Sequence, residues 1–502
     1  MIPVNKLIIF PFLFAIFPII LLYSDNISEI PTDELTIPIF LAISIIFLSF
    51  LFLNYILKSG IKAGIILTFL VAIFFSYGHI FNFLQEINTS NIDFVHQRYV
   101  IIPFIIISIL GVYFLIKTKY NLSNYRSIFN VISIVMVLFV FFNIVVFNYN
   151  DTDVESFNNI IIEDELEKLK LTTNFTTYEK LPNIYHIVLD EYTSDKVLLE
   201  DFEFDNSEFY NYLKNSNFVI PKDTLANYPV TEQFMVSTLN MKYLDNQEYN
   251  RLETEKNISD NLVMNFLKQN GYKIIIPYSG YGPHDRFDRS DSNPCSDVLF
   301  LKSRFLTELS RTTIVNYFVE KQIENERRDM QLCSLSKLEE SNEEYNKPVY
   351  MFAHLFIPHA PYLFDKDGNS VTPQSNKLKG LQGWHNTDGY LNEIQFVNKR
   401  MTDIVNRILS ESEQSIIIIQ GDTGSSILND PSIDDYMTKR LSILYAIHMP
   451  ESSEVIELSN ISPVNTYRVI FNEIFETELQ MLDEQHYWNN GDQIENITDQ
   501  IK

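Results

Sequence analysis

Five long apolar runs without a single Asp, Glu, Lys or Arg fill most of the first 150 residues, and they constrain the fold more than any other feature. They are Leu7–Tyr23, Ile37–Leu57, Ala63–Phe81, Tyr99–Ile116 and Val131–Phe147. Runs of this length match the ~20 helical residues that cross the hydrocarbon core of a bilayer. Buried helices in a large soluble core are the alternative, but five consecutive charge-free runs favour membrane spans. The first run lacks a small-residue cleavage site, so we interpret it as a span and not as a signal peptide.

The loops between these runs predict the orientation of the chain. Lys58 and Lys62 lie in the second loop and three more basic residues lie in the fourth, whereas the other two loops carry one base between them. Because basic loops stay on the cytoplasmic side, we expect a multi-pass protein of the plasma (cytoplasmic) membrane with its N-terminus inside. Five spans then place the remainder of the chain on the extracytoplasmic side.

Charge is divided between the two parts of the chain as unevenly as hydropathy. The whole chain has a formal net charge of −26, although its first 150 residues hold seven Lys/Arg and six Asp/Glu. Nucleic-acid binding depends on clustered Lys and Arg that neutralise phosphates, so we exclude nucleic acid as a partner. The acidic part would also repel polyanionic polymers, which favours a small headgroup donor or a neutral glycan acceptor.

The polar part of the chain has the pattern of an α/β domain. We predict a transmembrane domain over residues 1–150, a juxtamembrane linker over 151–180, an extracytoplasmic domain over 181–485 and a loose polar tail over 486–502. Short, nearly continuous apolar runs alternate with helical spacing, which is typical of a mostly parallel sheet covered by helices. The predicted strands are Ile184–Leu189, Tyr272–Pro277, Val349–Phe356, Ile416–Gln420 and Ser442–His448, and the clearest helices are Asp260–Gln269 and Asn392–Leu409.

Two aspartates follow predicted strands, where functional groups of open α/β sheets collect. Asp190 comes directly after Ile184–Leu189, and Asp422 follows Ile416–Gln420 and lies between two glycines. Both are candidate metal ligands, because carboxylates bind hard cations. A helix N-cap at Asp190 and a simple turn at Asp422 are the structural alternatives.

Two further motifs supply a hydroxyl and two imidazoles. Thr231 follows a proline-containing turn and begins a predicted helix, where the helix dipole favours a negatively charged oxygen; an N-cap is the structural alternative. His354 and His359 surround the end of another strand, the second of them between two prolines, and either could bind metal or a phosphoryl oxygen.

Taken together and in this order, these motifs resemble the alkaline phosphatase/sulfatase superfamily, above all its membrane-anchored branch of lipoteichoic acid synthases and phosphoethanolamine transferases. The resemblance is most specific between Pro182 and Arg468. It implies five spans, an alkaline-phosphatase-like α/β domain, a Thr231 nucleophile that is also a metal ligand, and metal ligands at Asp190 and Asp422. It places His354 and His359 at the substrate.

Two departures from the family pattern matter for function. The formylglycine signature of true sulfatases is absent at Thr231, and the histidine that usually follows the late aspartate is replaced by Thr423. The remaining ligand set of Asp190, Thr231 and Asp422 is all oxygen, which suits one Mn²⁺, Mg²⁺ or Ca²⁺ better than Zn²⁺.

These features lead to three hypotheses. The first is a metal-dependent transferase or hydrolase that acts on a phosphodiester or lipid headgroup and modifies an envelope lipid or glycan. The second, motivated by Thr423, is a pseudoenzyme whose ectodomain binds a glycan or a partner. The third, a channel or transporter, is disfavoured because the spans carry no charge. The pairing of Cys295 with Cys333 and the oligomeric state stay open.

Overall fold

The computed structural model describes residues 7–27, 30, 32–87, 97–172, 181–244, 251–280, 289–298, 303–340, 347–371, 386–431, 435–450, 461–489 and 494–501. The chain divides into two compact units. The first comprises Met1–Asp153 together with Leu299–Glu326, and the second comprises Val154–Val298 together with Arg327–Lys502. We call Leu299–Glu326 the returning segment, because it comes back to the first unit from the middle of the polar part. The predicted boundaries at 150, 180 and 485 stay predictions.

The first unit is built from long apolar helices. They are α1 (Phe10–Asp25), α2 (Thr36–Leu57), α3 (Gly60–Ile87), α4 (Gln97–Lys117) and α5 (Ser123–Thr172). Four described stretches are long and apolar enough to cross a membrane: Thr32–Leu57, Gly60–Leu84, Tyr99–Lys117 and Ser123–Tyr149. Helix α1 has 16 residues, about 24 Å at 1.5 Å per residue, and is shorter than a hydrocarbon core of about 30 Å. The described residues therefore support four spans by length and composition, and the fifth predicted span stays a prediction.

Helix α5 extends well beyond its apolar part. Its 50 residues continue as far as Thr172, so most of the predicted linker is helical. Leu166 and Leu169 near its end are buried against the second unit's core.

A six-stranded sheet forms the centre of the second unit, in the order β2-β6-β5-β1-β4-β3. Its strands are β1 (Ile184–Leu189), β2 (Phe218–Val219), β3 (Lys273–Ile275), β4 (Val349–Leu355), β5 (Ile416–Gly421) and β6 (Tyr445–His448). Strands β3, β4, β1 and β5 are parallel, whereas β6 and β2 are antiparallel to their neighbours. The sheet is therefore mixed, and the parallel arrangement that the sequence predicts applies to these four strands only.

Both faces of the sheet are covered by helices, which explains why β1, β4 and β5 are nearly continuous apolar runs with every residue buried. One face packs against α6 (Asp195–Phe202), α7 (Ser207–Asn215) and α13 (Thr387–Glu411). The other packs against α8 (Thr231–Asn240), α10 (Leu262–Gln269) and α15 (Thr466–Phe475). The remaining helices are α9 (Arg251–Ser259), α11 (Arg304–Arg311), α12 (Asn316–Glu339) and α14 (Tyr436–Leu441).

The end of the chain is ordered, and the expectation of a loose tail is wrong. Strands β7 (Tyr487–Asn489) and β8 (Ile494–Asn496) form an antiparallel hairpin. Tyr487 donates its backbone N–H to Asn227 O at 2.9 Å, and Ile497 is buried in the core beside α8. The segment is polar on average, so its composition did not indicate the few apolar side chains, such as Ile497, that pack in the core.

Candidate metal and nucleophile site

Strand register brings three of the predicted residues to one edge of the sheet. Leu189 at the end of β1 lies opposite Leu355 of β4 and Gly421 of β5. Asp190 and Asp422 are the next residues along their strands, and His354 pairs with Val188. Since residues two apart in a strand point to the same face, all three side chains belong to one row. This row faces the side of the sheet that α8 covers.

Asp190, His354 and Asp422 form a compact, buried triad. Each offers one ligand atom, and the three atoms lie within 4.8 Å of one another. All three residues are at most 2% exposed. The Nε2 atom of His354 lies 3.8 Å from Oδ2 of Asp190, too far for a direct hydrogen bond. The spacing suits three side chains that share a ligand between them.

The electrostatics of the triad fit a divalent cation. Burial, reinforced by the neighbouring carboxylates of Asp422 and Glu191, raises the pKa of Asp190 well above its usual value. Its buried Oδ1 has no hydrogen-bond partner among the described atoms, and an orphaned buried carboxylate oxygen is costly. Burial also lowers the pKa of His354 to about 4, which leaves a neutral imidazole with a lone pair for a metal. A bound cation would resolve both the repulsion and the orphaned oxygen.

Thr231, the first residue of α8, lies next to the triad. Its Oγ1 donates a hydrogen bond of 2.5 Å to Oδ2 of Asp422. The N-cap position belongs to Val230, whose side chain makes no capping bond. The hydroxyl of Thr231 is therefore directed at the carboxylate, and the N-cap alternative is wrong. Arg468 fixes the other end of the helix by donating from Nε and Nη2 to Met241 O at 3.0 and 2.6 Å.

Asp422 is oriented by backbone donors. Its Oδ1 accepts from the N–H of Thr423 at 2.7 Å and from the N–H of Glu191 at 3.0 Å. The Glu191 backbone has a left-handed φ of 62°, and Tyr390 holds it by donating its hydroxyl to Glu191 O at 2.8 Å. Asp422 is consequently fixed with Oδ2 towards Thr231.

Glu191 is a residue of the site that the sequence analysis overlooked. Its Oε1 lies 2.9 Å from Nη1 of Arg440 and 3.8 Å from Nε2 of His359, and its Oε2 accepts from the hydroxyl of Ser426 at 2.8 Å. Burial alone would raise the pKa of Glu191, but the His359 and Arg440 charges and the Ser426 hydrogen bonds outweigh it and hold the pKa below its usual value. An acidic residue next to Asp190 was the available signal.

His359 and Thr423 lie outside the triad. The His359 side chain is 19% exposed, so it faces the more open side of the site, next to Glu191. Thr423 is fully buried, and its backbone N–H contributes more directly than its hydroxyl, which lies 3.5 Å from Oδ1 of Asp422. The family pattern has a histidine at the position of Thr423. In this chain an imidazole reaches the site from His354, on β4.

Comparison with solved structures finds similarities at low sequence identity. The chain is similar to phosphoethanolamine transferases and a lipoteichoic acid synthase. The periplasmic domain of EcEptC from Escherichia coli in complex with Zn matches with TM-score 0.42 and 11% identity, over 66% of this chain and 96% of that one. Phosphoethanolamine transferase A of Neisseria meningitidis matches with TM-score 0.37 and 12% identity, over 88% of each chain. The synthase LtaP of Listeria monocytogenes matches with TM-score 0.39 and 11% identity, over 66% and 79%.

No protein-family model matches the chain, and no curated protein matches it. With TM-scores below 0.5, the structural similarities do not by themselves establish a shared activity. The function proposed below therefore depends on the residues of this chain.

Proposed function

We propose that the protein is a membrane-bound, metal-dependent phosphotransferase or phosphodiesterase that acts on a lipid or glycan substrate of the cell envelope, with Thr231 as nucleophile. The observation that carries the proposal is the hydrogen bond from Thr231 Oγ1 to Asp422, a member of the buried triad. In this arrangement a nucleophile, its proton acceptor and a metal site lie next to one another. The second unit lies on the extracytoplasmic side and the N-terminus inside, as the basic loops favour.

Asp190, His354 and Asp422 would hold one divalent cation, with the Thr231 oxygen beside them. Bound there, it would stabilise an ionised threonine oxygen and the charge on the phosphoryl oxygens. The preference for Mn²⁺, Mg²⁺ or Ca²⁺ over Zn²⁺ depended on an all-oxygen set. Because His354 adds a nitrogen, we propose Mn²⁺ or Zn²⁺, both of which accept mixed carboxylate and imidazole ligands.

The reaction begins with Thr231 and ends on an acceptor. Its Oγ attacks the phosphorus of a headgroup phosphodiester, and its proton passes to Oδ2 of Asp422. The new O–P bond forms as the ester bond to the leaving alcohol breaks, and that alcohol, a diacylglycerol when the donor is a phospholipid, leaves with the proton that Asp422 accepted. A second alcohol or water then attacks the phosphorus, the O–P bond to Thr231 breaks, and the proton of the attacking group passes to Thr231 Oγ. His359, the more exposed imidazole of the site, would contact the substrate phosphoryl group.

The non-catalytic alternative was motivated by the missing histidine at position 423. The geometry weakens that motive, because His354 contributes an imidazole within 4.8 Å of the carboxylate ligand atoms. The triad also contains an orphaned carboxylate oxygen, which a purely structural site would have little reason to keep.

The test uses the full chain in nanodiscs containing phosphatidylethanolamine or phosphatidylglycerol with a labelled headgroup. Thr231→Ala should reduce diacylglycerol release at least about a thousandfold, because the covalent path is lost, and should abolish a labelled adduct that mass spectrometry locates on Thr231. Ser237→Ala, which removes a buried hydroxyl from the same helix, is the matched control. If Thr231→Ala released diacylglycerol as fast as the wild type, Thr231 would not be the nucleophile. A wild-type protein inactive on both lipids would favour the non-catalytic alternative.

The metal is measured on the same preparations. His354→Gln should lower the affinity for Mn²⁺ or Zn²⁺ by more than about 10–100-fold, which is the usual cost of mutating a residue that only contacts a metal ligand. His448→Gln removes another buried imidazole, one that bonds to Ser415 O, and should leave metal binding unchanged. Equal affinity in both variants would remove His354 from the ligand set.

A further inference from the structure

The returning segment is packed inside the first unit, although it belongs in sequence to the polar part. Phe305 of α11 is fully buried in a cluster with Ile19, Tyr23 and Ile30. Its ring meets that of Tyr23 nearly at right angles, with centroids 6.4 Å apart. An aromatic side chain buried at the end of α1 holds α11 against the helices of the membrane unit.

A partly buried cap fixes the beginning of α11. Oε2 of Glu34, in the short turn Thr32–Leu35 before α2, accepts from the Ser303 hydroxyl at 2.6 Å and from the Phe305 N–H at 2.9 Å. A carboxylate is favoured at a helix N-terminus, where backbone N–H groups lack partners. The cap comes from another part of the chain, so it ties the returning segment to the start of α2.

A backbone clasp fixes the residues that follow α11 on α3. Gly78 donates its N–H to Thr312 O at 3.2 Å, and Phe74 O accepts from the Ile314 N–H at 3.2 Å. This approach requires glycine, because a Cβ at position 78 would lie 2.1 Å from Arg311 O. Ile314 then packs between α3 and α4, against the cluster of Tyr77, Phe81 and Val100.

The clasp lies at the depth where one membrane surface is expected. Gly78 is about 27 Å from Gly60 along α3 at 1.5 Å per residue, and a hydrocarbon core is about 30 Å thick. The opposite end carries Lys62, which donates its ammonium to Ile116 O and Thr118 O. The residues after the clasp therefore emerge near the boundary between acyl chains and headgroups.

Three large apolar side chains emerge at this point. Val315, Tyr317 and Phe318 are 37%, 40% and 67% exposed, respectively. The lipid-facing surface beside them is equally apolar at the ends of α3 and α4, where Phe83 is 59% and Tyr99 is 51% exposed. Aromatic side chains are enriched at such interfaces because a ring fits between hydrocarbon and headgroups.

We propose that Val315, Tyr317 and Phe318 form an aromatic tip that inserts into the lipid interface on the side of the membrane away from Lys62. A lipid surface is the occupant that the observations favour, since the tip continues the lipid-facing surface of α3 and α4 and is fixed at interface depth. It makes the polar part of the chain a direct contributor to membrane contact, independently of the proposed chemistry.

Site-directed spin labelling tests the proposal. Because Cys295 and Cys333 are joined in a disulfide, a nitroxide reagent modifies only a cysteine that is introduced by mutation. In full-length protein in nanodiscs, a label at Phe318→Cys should collide several-fold less with a water-soluble nickel chelate, and more with oxygen, than a label at Leu199→Cys. Leu199 is 57% exposed on α6, and Phe142 of the α5 span is 65% exposed and provides the in-membrane reference as Phe142→Cys. A Phe318 label as accessible to the chelate as the Leu199 label would overturn the proposal.

The clasp has its own variant. Gly78→Ala should raise the chelate accessibility of the Phe318 label and leave that of the Phe142 label unchanged, because a Cβ collides with the Arg311 and Thr312 backbone. Gly60→Ala on the same helix is the control, since the tightest contact of its Cβ would be the end of the Ile8 side chain at 3.0 Å and no backbone atom lies among its nearest contacts. An unchanged Phe318 label in Gly78→Ala would show that the clasp does not position the tip. If Gly78→Ala fails to fold, the comparison of the Phe318, Leu199 and Phe142 labels in protein with Gly78 unchanged still tests the aromatic tip.

Discussion

The register of β4 separates His354 from His359. The family resemblance predicts both imidazoles at the substrate, because both belong to one motif. In the structure, pairing with Val188 gives His354 the same strand parity as Asp190, which turns its imidazole into the row of carboxylates. His359, five residues later, lies beside Glu191 instead. Two residues of one motif thus reach different parts of the site.

Glu393 is a second residue whose environment determines its behaviour. It is fully buried on α13 and accepts from the backbone N–H groups of Leu363 and Phe364, at 2.5 and 3.1 Å, through Oε1. Its Oε2 has no hydrogen-bond partner among the described atoms. Burial raises its pKa well above the usual 4.5. It therefore anchors the chain that follows His359 as a neutral acid.

Glu393 should make stability fall as pH rises. Because its folded pKa exceeds its unfolded pKa, the folded state binds the extra proton, and this contribution is complete below the unfolded pKa and lost towards the folded one. Glu393→Gln preserves a neutral acceptor. We expect equal thermal stability of variant and wild type near pH 4, and an increasing advantage for the variant towards pH 8.

Thermal unfolding of the full chain across this pH range measures the effect. Glu200→Gln, on the exposed side of α6, is the control and should follow the wild type throughout. Parallel curves for Glu393→Gln and wild type would contradict the proposed neutral acid.

At the level of elements, close packing at the ends of β1 and β5 creates the site. A Cβ at Gly421 would lie 2.4 Å from Tyr192 O, so glycine is required for the turn after β1 to approach β5. The short helix α14 holds this turn from the side, because Arg440 donates to Glu191 Oε1 at 2.9 Å and also to Gly424 O.

Breaking the buried ion pair between Arg440 and Glu191 should destabilise the second unit. Their side chains are 12% and 4% exposed, so Arg440→Met leaves a buried carboxylate without its cation. We expect a cost of about 3–5 kcal/mol, and a smaller cost when Glu191→Gln accompanies it. A double-mutant cycle on denaturant unfolding gives both values. Lys439→Met breaks the more exposed pair with Asp201, at 23% and 18%, and should cost less; equal costs for the two single variants would argue against burial as the cause.

At the level of the whole molecule, one disulfide encloses the excursion of the chain into the first unit. Cys295 and Cys333 are bonded and lie 38 residues apart, on either side of the returning segment. The sequence left this pairing open, because two cysteines alone do not show proximity. Closing the loop lowers the entropy of the unfolded chain.

Removing the disulfide should therefore lower stability without altering the site. For a loop of this length the entropic model predicts a loss of about 3–4 kcal/mol in Cys295→Ser/Cys333→Ser. Denaturant unfolding of the full chain measures the loss, and reduction of the wild type should reproduce it. Unchanged stability in both would mean that the returning segment is already held by the Glu34 cap and the Gly78 clasp.

Much of the architecture was predictable from hydropathy alone. The charge-free runs predicted the apolar helices, and β1 has the predicted bounds of Ile184–Leu189, because a continuous buried strand leaves a clear apolar signal. Asp190, Thr231 and Asp422 were predicted as site residues since each follows or begins a recognisable element; the structure brings them together, and their roles stay predictions. Short β2 and the final hairpin were missed, because two or three residues carry no periodicity.

Residue order and hydropathy thus determined which part of the chain is apolar, where the central strands lie and which polar residues follow them. Only the tertiary structure decided which of these residues meet. The triad depends on the register of three strands that are distant in sequence, the Glu191–Arg440 pair on the packing of α14, and the position of the returning segment on one glycine in α3. Such long-range contacts follow from how elements pack, and a local pattern contains no record of them.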